Sequence, residues 1–139
     1  VDGVAYWPSV VVNYTTKTQF LFKINKGIES VTDNHRVNEY IPEEERPVPF
    51  RHMIYFGDGT TDIPCMRLVK QMGGYSIAVY NPDQQQPSQS LLRLIGENRV
   101  DYVMPASYEK DGELDVLVRK IIDKIYTDDQ LRRLKRTMQ

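Results

Sequence analysis

The chain has 139 residues, 40% of them hydrophobic and 27% charged, with 18 Lys and Arg against 19 Asp and Glu and a net charge of -1. This composition is typical of one globular domain and excludes disordered, collagenous and fibrous proteins. The balanced charge does not favour nucleic acid or an anionic membrane surface as a partner, and no apolar run reaches the about 20 residues of a membrane-spanning helix. We therefore expect neither a nucleic-acid partner nor a membrane partner.

The single cysteine, Cys65, leaves no partner thiol for an internal disulfide. Low cysteine usage is typical of a reducing compartment, and we expect a cytoplasmic protein in which Cys65 is a small buried side chain. The sequence begins at Val1, with neither an initiator Met nor a basic and apolar leader. This beginning favours a piece cut from a longer protein.

The first half of the chain predicts little regular structure apart from one helix. Residues 1–14 favour a β-hairpin or β segment, because a Gly-containing turn is followed by short apolar runs. Residues 15–27 predict a helix, since apolar residues recur there at helical spacing and Gly27 can end it. Those apolar residues are Phe20, Leu21 and Ile24. Residues 29–50 are polar and proline-rich, which predicts a loop with a short helical turn around residues 36–40.

The second half predicts strands that alternate with helices over residues 53–126, a pattern typical of a parallel α/β sheet. The predicted strands are 53–56, 75–80 and 100–104, and the predicted helices are 63–72, 88–97 and 112–126. An apolar stripe on the last helix is expected to face the core. It consists of Leu114, Leu117, Val118, Ile121, Ile122 and Ile125. We expect a single domain, residues 1–139, with a Rossmann-like three-layer α/β/α fold.

A separate final helix is predicted over residues 127–139. Thr127 can cap such a helix, and Asp128 and Asp129 would lie in its first turn, where carboxylates are favourable. Four cations near its end, Arg132, Arg133, Lys135 and Arg136, are predicted to form a solvated face that complements the helix dipole.

Candidate chemistry concentrates where the first apolar strand ends. The strand leads directly into Gly57-Asp58-Gly59-Thr60-Thr61-Asp62 and then into a helix that opens with Ile63-Pro64. Ligands bind at this edge of parallel sheets because loops and helix amino termini converge there. Asp58 is expected to face the crevice, and glycines on both sides would let the backbone turn without a Cβ in the way. Two carboxylates across such a turn suit Mg²⁺, although Asp58 could merely form a turn and Asp62 could merely cap the helix.

Other nucleotide and metal motifs do not match. A dinucleotide fingerprint needs a third glycine where this chain has Asp62, and the Gly-Lys-Ser/Thr of a P-loop is absent from the sequence. His35 and His52 are too far apart in sequence to predict a metal pair, and we expect neither to take part in chemistry.

The segment MIYFGDGTTDIPCM, residues 53–66, resembles the fourth motif of haloacid dehalogenase-like (HAD) phosphatases, particularly the phosphoserine phosphatase-like branch. In that family a lysine of the third motif lies in the helix before this strand, and TKTQFL, residues 16–21, is similar to that segment. The resemblance implies that Asp58 and Asp62 form the Mg²⁺ site and that Lys17 stabilises the phosphoryl group. It also implies that Lys17 and Gly59 contact a small phosphorylated metabolite, whose phosphate monoester is hydrolysed through an aspartyl-phosphate.

The resemblance covers the carboxyl-terminal part of the HAD core and leaves out its nucleophile. The family's nucleophile lies in an Asp-x-Asp-Gly-Thr motif after the central strand, and in the nearest match of this chain Phe56 stands in the nucleophile's place. We therefore expect this chain alone to be inactive, because the covalent route requires that carboxylate. The family's fold also places the motif-four strand beside the central strand. An exposed edge would then promote self-association or association with the amino-terminal half.

Two alternatives remain open at the level of sequence. One is a non-catalytic binding or assembly module that has a HAD-like fold. The other is a small nucleotide-binding Rossmann domain that happens to carry Gly-Asp-Gly. If Asp58→Asn left Mg²⁺ binding in the presence of phosphate unchanged, calorimetry would favour the nucleotide-binding domain.

Overall fold

A computed structural model describes residues 17–30, 33 and 35–138. The four helices of this part are α1 (Lys17–Lys26), α2 (Ile63–Gln71), α3 (Gln89–Gly96) and α4 (Glu113–Thr137). Its three strands are β1 (Ile54–Gly57), β2 (Tyr75–Tyr80) and β3 (Tyr102–Pro105). Short 3-10 turns cover Arg36–Asn38, Glu43–Glu45, Phe50–His52 and Thr60–Asp62. The predicted hairpin over residues 1–14 lies outside the described residues.

The strands form one parallel sheet in the order β1-β2-β3. Phe56 of β1 lies opposite Ile77 of β2, and Ala78 of β2 lies opposite Val103 of β3. A helix connects each strand to the next, as parallel pairing requires. The predicted alternation of strands and helices is therefore confirmed, and the fold is mixed α/β, consistent with a Rossmann-like arrangement.

Helices cover both faces of the sheet. On one face, α2 and α3 pack on the strands through a cluster of Met66, Ala78, Leu94 and Val100. On the other face, α4 packs through Leu114 and Ile121 against Ile77 and Val79. Most of the predicted stripe on α4 does face the core, but Ile122 is 52% exposed and its prediction was wrong.

Helix α1 is held against α2 by a third cluster, formed by Leu21, Phe50, Met53, Cys65 and Val69. Cys65 is 1% exposed, which confirms the predicted buried thiol. The helix ends at Gly27, whose φ of 70° is the left-handed conformation that glycine adopts readily. This packing places the first residue of α1 beside the loop that follows β1.

The predicted break before Thr127 is wrong, because α4 continues without interruption from Glu113 to Thr137. Two ion pairs between residues four apart support the continuous helix: one spans the predicted boundary at Thr127 and the other follows it. Lys124 Nζ lies 3.8 Å from Asp128 Oδ2, and Arg133 Nε lies 2.9 Å from Asp129 Oδ2. No glycine or proline interrupts this stretch, so the carboxylates act as helix-surface partners instead of marking a new first turn.

Thr127→Ala tests whether α4 is continuous, because a continuous helix and a new helix start predict opposite changes in the free energy of unfolding. In a helix interior Ala is the more favourable residue, so Thr127→Ala is expected to keep or raise the free energy of unfolding, by about 0.5 kcal/mol. At an N-cap the same change removes a capping hydroxyl and costs about 1 kcal/mol. Urea unfolding distinguishes the two results, and a clear loss of stability would contradict the continuous helix.

Candidate functional site

The turn after β1 is shaped by one crowded glycine and one open glycine. A Cβ at Gly57 would lie 2.6 Å from Asp62 Cβ and 3.0 Å from Met66 Sδ, whereas a Cβ at Gly59 would meet nothing within 4 Å. The expectation that both glycines remove a steric obstacle is therefore confirmed for Gly57 and wrong for Gly59. Close packing at Gly57 holds the Asp62 side chain directly under the turn.

The Asp62 carboxylate ties this turn together. Its Oδ2 accepts hydrogen bonds from the backbone N–H of Asp58 at 3.1 Å and of Gly59 at 3.4 Å. Its Oδ1 accepts a hydrogen bond from the Tyr55 hydroxyl at 2.8 Å. Asp62 occupies the N-cap position of α2, but its side chain makes no capping hydrogen bond to that helix. The predicted helix-capping role is wrong, because the carboxylate turns back towards the strand end.

Lys17 completes the arrangement from the first turn of α1. Its Nζ lies 2.8 Å from Asp62 Oδ1 and donates a second hydrogen bond, at 3.2 Å, to Thr61 Oγ1. The side chains of Lys17 and Asp62 are 26% and 11% exposed, so this ion pair is largely shielded. Lys17 is therefore held against the turn after β1 instead of extending into solvent. The structure brings together Lys17 and Asp62, which are 45 residues apart in the chain.

These contacts fix the protonation states at neutral pH. Burial disfavours the Asp62 carboxylate, but the hydrogen bonds from Lys17, Tyr55 and the Asp58 N–H outweigh it and lower the pKa of Asp62 below 3.8. The hydrogen bond to Asp62 raises the pKa of Lys17 above 10.5. Burial, followed by the hydrogen bond to Asp62, raises the pKa of Tyr55. A charged Lys17–Asp62 pair and a neutral Tyr55 donor follow.

Asp58 differs from Asp62 in being exposed and unengaged. Its carboxylate makes no hydrogen bond or ion pair with any residue that the structure describes, while its backbone N–H is fixed by Asp62. Across the described ranges, no group of three or more His, Cys, Asp and Glu residues could hold a metal ion. A cation at Asp58 would therefore complete its shell with water, a substrate oxygen or groups outside those ranges. Both carboxylate oxygens of Asp62 already accept hydrogen bonds. Direct metal binding by Asp62 stays a prediction.

Tyr55 is the site residue that the sequence analysis missed. Alternation along β1 places Tyr55 on the same face as Gly57, the face that α2 covers. A polar aromatic residue two positions before a strand-end glycine could have signalled a buried hydroxyl in need of a partner. His35 is exposed, and half-buried His52 lies before β1, at the opposite end of that strand from Asp58.

Comparisons with known proteins found a distant relative. No family model matches the chain, and no solved structure matches it. A Borreliella burgdorferi protein described as an "uncharacterized protein" is 29% identical over 106 residues, which cover 74% of this chain and 34% of the relative. This chain thus matches about a third of the relative's length. Within the described residues, no helix combines the length and apolar character needed to cross a membrane.

Proposed function

We propose that this chain is the carboxyl-terminal part of the core of a Mg²⁺-dependent HAD-like phosphatase. The intact protein would hydrolyse a small phosphate monoester through an aspartyl-phosphate, with its nucleophile supplied from outside this chain. Taken alone, the chain is expected to be inactive.

The observation that carries this proposal is the lysine that reaches the strand-end turn from a preceding helix. Lys17 pairs with the second carboxylate of the turn at 2.8 Å and leaves the first, Asp58, exposed and without a partner among the described residues. A turn with a purely structural role needs neither a lysine from a distant part of the sequence nor an unengaged carboxylate beside it. A phosphoryl-transfer site uses both, because positive charge and a divalent cation must offset the charge of the phosphate.

Each residue would have a distinct part in this chemistry. Bound Mg²⁺ would neutralise charge on the phosphoryl oxygens. Asp58 is the carboxylate free to hold the cation, and its donor type suits a hard metal. Asp62 positions the turn and anchors Lys17, whose raised pKa keeps its ammonium charged beside the phosphate. Gly59 has open space around its Cα, which leaves room for a substrate to approach the backbone.

The unpaired edge of β1 supports the proposal that a neighbouring strand comes from another part of the longer protein. In the part of the chain that the structure describes, β1 is paired only with β2, and Phe56 on this edge strand is 40% exposed. An apolar edge strand with unpaired backbone groups favours the addition of another strand. We propose that a strand from the amino-terminal part of the longer protein lies there, with self-association when that part is missing.

Light scattering on the 139-residue chain tests this edge. The chain is expected to self-associate, and Phe56→Lys is expected to shift it towards monomer because edge lysines oppose strand pairing. Tyr108→Lys, which changes another exposed aromatic residue away from the strand, serves as the control. A wild-type chain that stays monomeric at high concentration would contradict the proposed edge.

Steady-state kinetics on the intact protein test the activity. With Mg²⁺ and a panel of phosphate monoesters, Asp58→Asn is expected to reduce kcat/KM at least about 100-fold, a loss typical of a removed electrostatic contact. Asp123→Asn makes the same change at an exposed position of α4 and is expected to retain the wild-type rate. Equal rates for Asp58→Asn and wild type would overturn the proposal.

A further inference from the structure

A polar cavity lies at the opposite end of the sheet from Asp58. Its volume is about 550 Å³, and its walls come from the segment before β1, the turn between α2 and β2, and the second half of α4. The Lys and Arg side chains that line it are Arg51, Lys124, Arg132 and Lys135, and His52 lies beside them. The activity proposed above uses none of these residues.

The acidic residues of this cavity are largely engaged. Asp128 lies 3.8 Å from Lys124, and Asp129 lies 2.9 Å from Arg133 and 3.5 Å from His52. Glu43 is the remaining carboxylate in the lining. Arg51, Arg132 and Lys135 form no ion pair with a residue that the structure describes. Together with Lys124 they set four basic side chains against three carboxylates in the lining, so positive charge is in excess here.

The nitrogen donors at the cavity are also incompletely satisfied. Arg51 Nε is a buried donor with no hydrogen-bond partner among the described residues. His52 Nε2, also buried, lies 3.5 Å from Asp129 Oδ1 and makes no hydrogen bond within the same residues. Burial, and next the positive charge of Arg132, lower the pKa of Arg51, while the carboxylates of Glu43 and Asp129 act in the opposite direction. A buried donor normally finds an acceptor, and an anion bound in the cavity would supply one for Arg51 Nε.

We propose that this cavity binds a phosphate-bearing small molecule, with Arg51, Arg132 and Lys135 as its main contacts. Guanidinium groups match phosphate oxygens in geometry and charge, and the ammonium adds a further positive charge. The apolar side chains of Met72, Ile125 and Leu131 line the same cavity and offer surface to the organic part of such a molecule. The site is distinct from the turn at Asp58, so it would bind an effector or a second ligand instead of the reacting phosphate.

Calorimetry on the 139-residue chain, with inorganic pyrophosphate as the probe, tests this inference. Titrations are run at constant ionic strength with a chelator, so that no divalent cation contributes. Wild type is expected to bind one equivalent, and Arg132→Gln with Lys135→Gln in one variant is expected to weaken binding at least about tenfold. Both positions are exposed on α4, and circular dichroism verifies that the variant is folded.

Lys120→Gln is the control for loss of charge on the same helix; it removes one positive charge, where the double variant removes two, from an exposed position outside this cavity. It is expected to bind pyrophosphate as wild type does. Three results would overturn the proposal: no binding by wild type, equal binding by wild type and the double variant, or equal weakening by Lys120→Gln, which would indicate a general charge effect.

Discussion

Gly57→Ala is expected to lower the free energy of unfolding by about 3 kcal/mol. Its new Cβ would lie 2.6 Å from Asp62 Cβ, a contact that cannot be relieved by rotating the Asp62 side chain because Cβ is fixed to the backbone. Either the end of β1 or the start of α2 must move. That movement would also separate Asp62 from the backbone N–H groups that it holds.

Gly59→Ala provides the comparison within the same turn. Its Cβ would meet nothing within 4 Å, and the φ of -146° at Gly59 is extended backbone that any residue adopts. We expect its free energy of unfolding to remain within about 0.5 kcal/mol of wild type. Urea denaturation of both variants measures the difference, and equal stabilities would show that the turn does not pack as described.

Asp62→Ala is expected to cost about 2 to 4 kcal/mol at neutral pH, because it removes the acceptor of three part-buried hydrogen bonds and of the Lys17 ion pair. The pH dependence follows from the lowered pKa of Asp62. Since the folded pKa lies below the unfolded value of 3.8, the carboxylate stabilises the fold above that pH. This contribution is lost as the pH falls through the folded pKa.

The difference in stability between wild type and Asp62→Ala should therefore be full at neutral pH and shrink as the solution is acidified below about pH 4. Asp58→Ala is the control, because the Asp58 side chain has no partner among the described residues and is exposed. It should leave stability almost unchanged. A difference that grew on acidification would contradict the charged Lys17–Asp62 pair.

The sequence predicted the alternating part of the fold well. Strand Tyr75–Tyr80 has its predicted bounds, and α2 and α3 differ from prediction by one residue at an end or at both. Apolar periodicity and glycine placement determine these elements locally. The end of α4 could not be predicted in this way, because Thr127 and the two following aspartates suit a helix start and a helix surface equally well. Ion pairs with Lys124 and Arg133 favour the surface.

The sequence indicated which residues form the candidate site, but it did not indicate all of the contacts between them. Asp58, Asp62 and Lys17 were singled out from motif and resemblance, and the structure places the lysine against Asp62. The Tyr55 hydroxyl and the backward turn of the Asp62 carboxylate depend on how α2 packs over β1. Tertiary packing of that kind leaves no periodic signal in the sequence.

The most direct test of the central claim is to determine the amino-acid sequence that precedes Val1 in the intact protein. An apolar strand followed by Asp-x-Asp-Gly-Thr is the predicted result, because the site built around Asp58 and Lys17 would then receive its nucleophile on a strand able to pair with β1. A preceding sequence in which no strand ends in that aspartate would contradict the proposed phosphatase and favour a binding or assembly module.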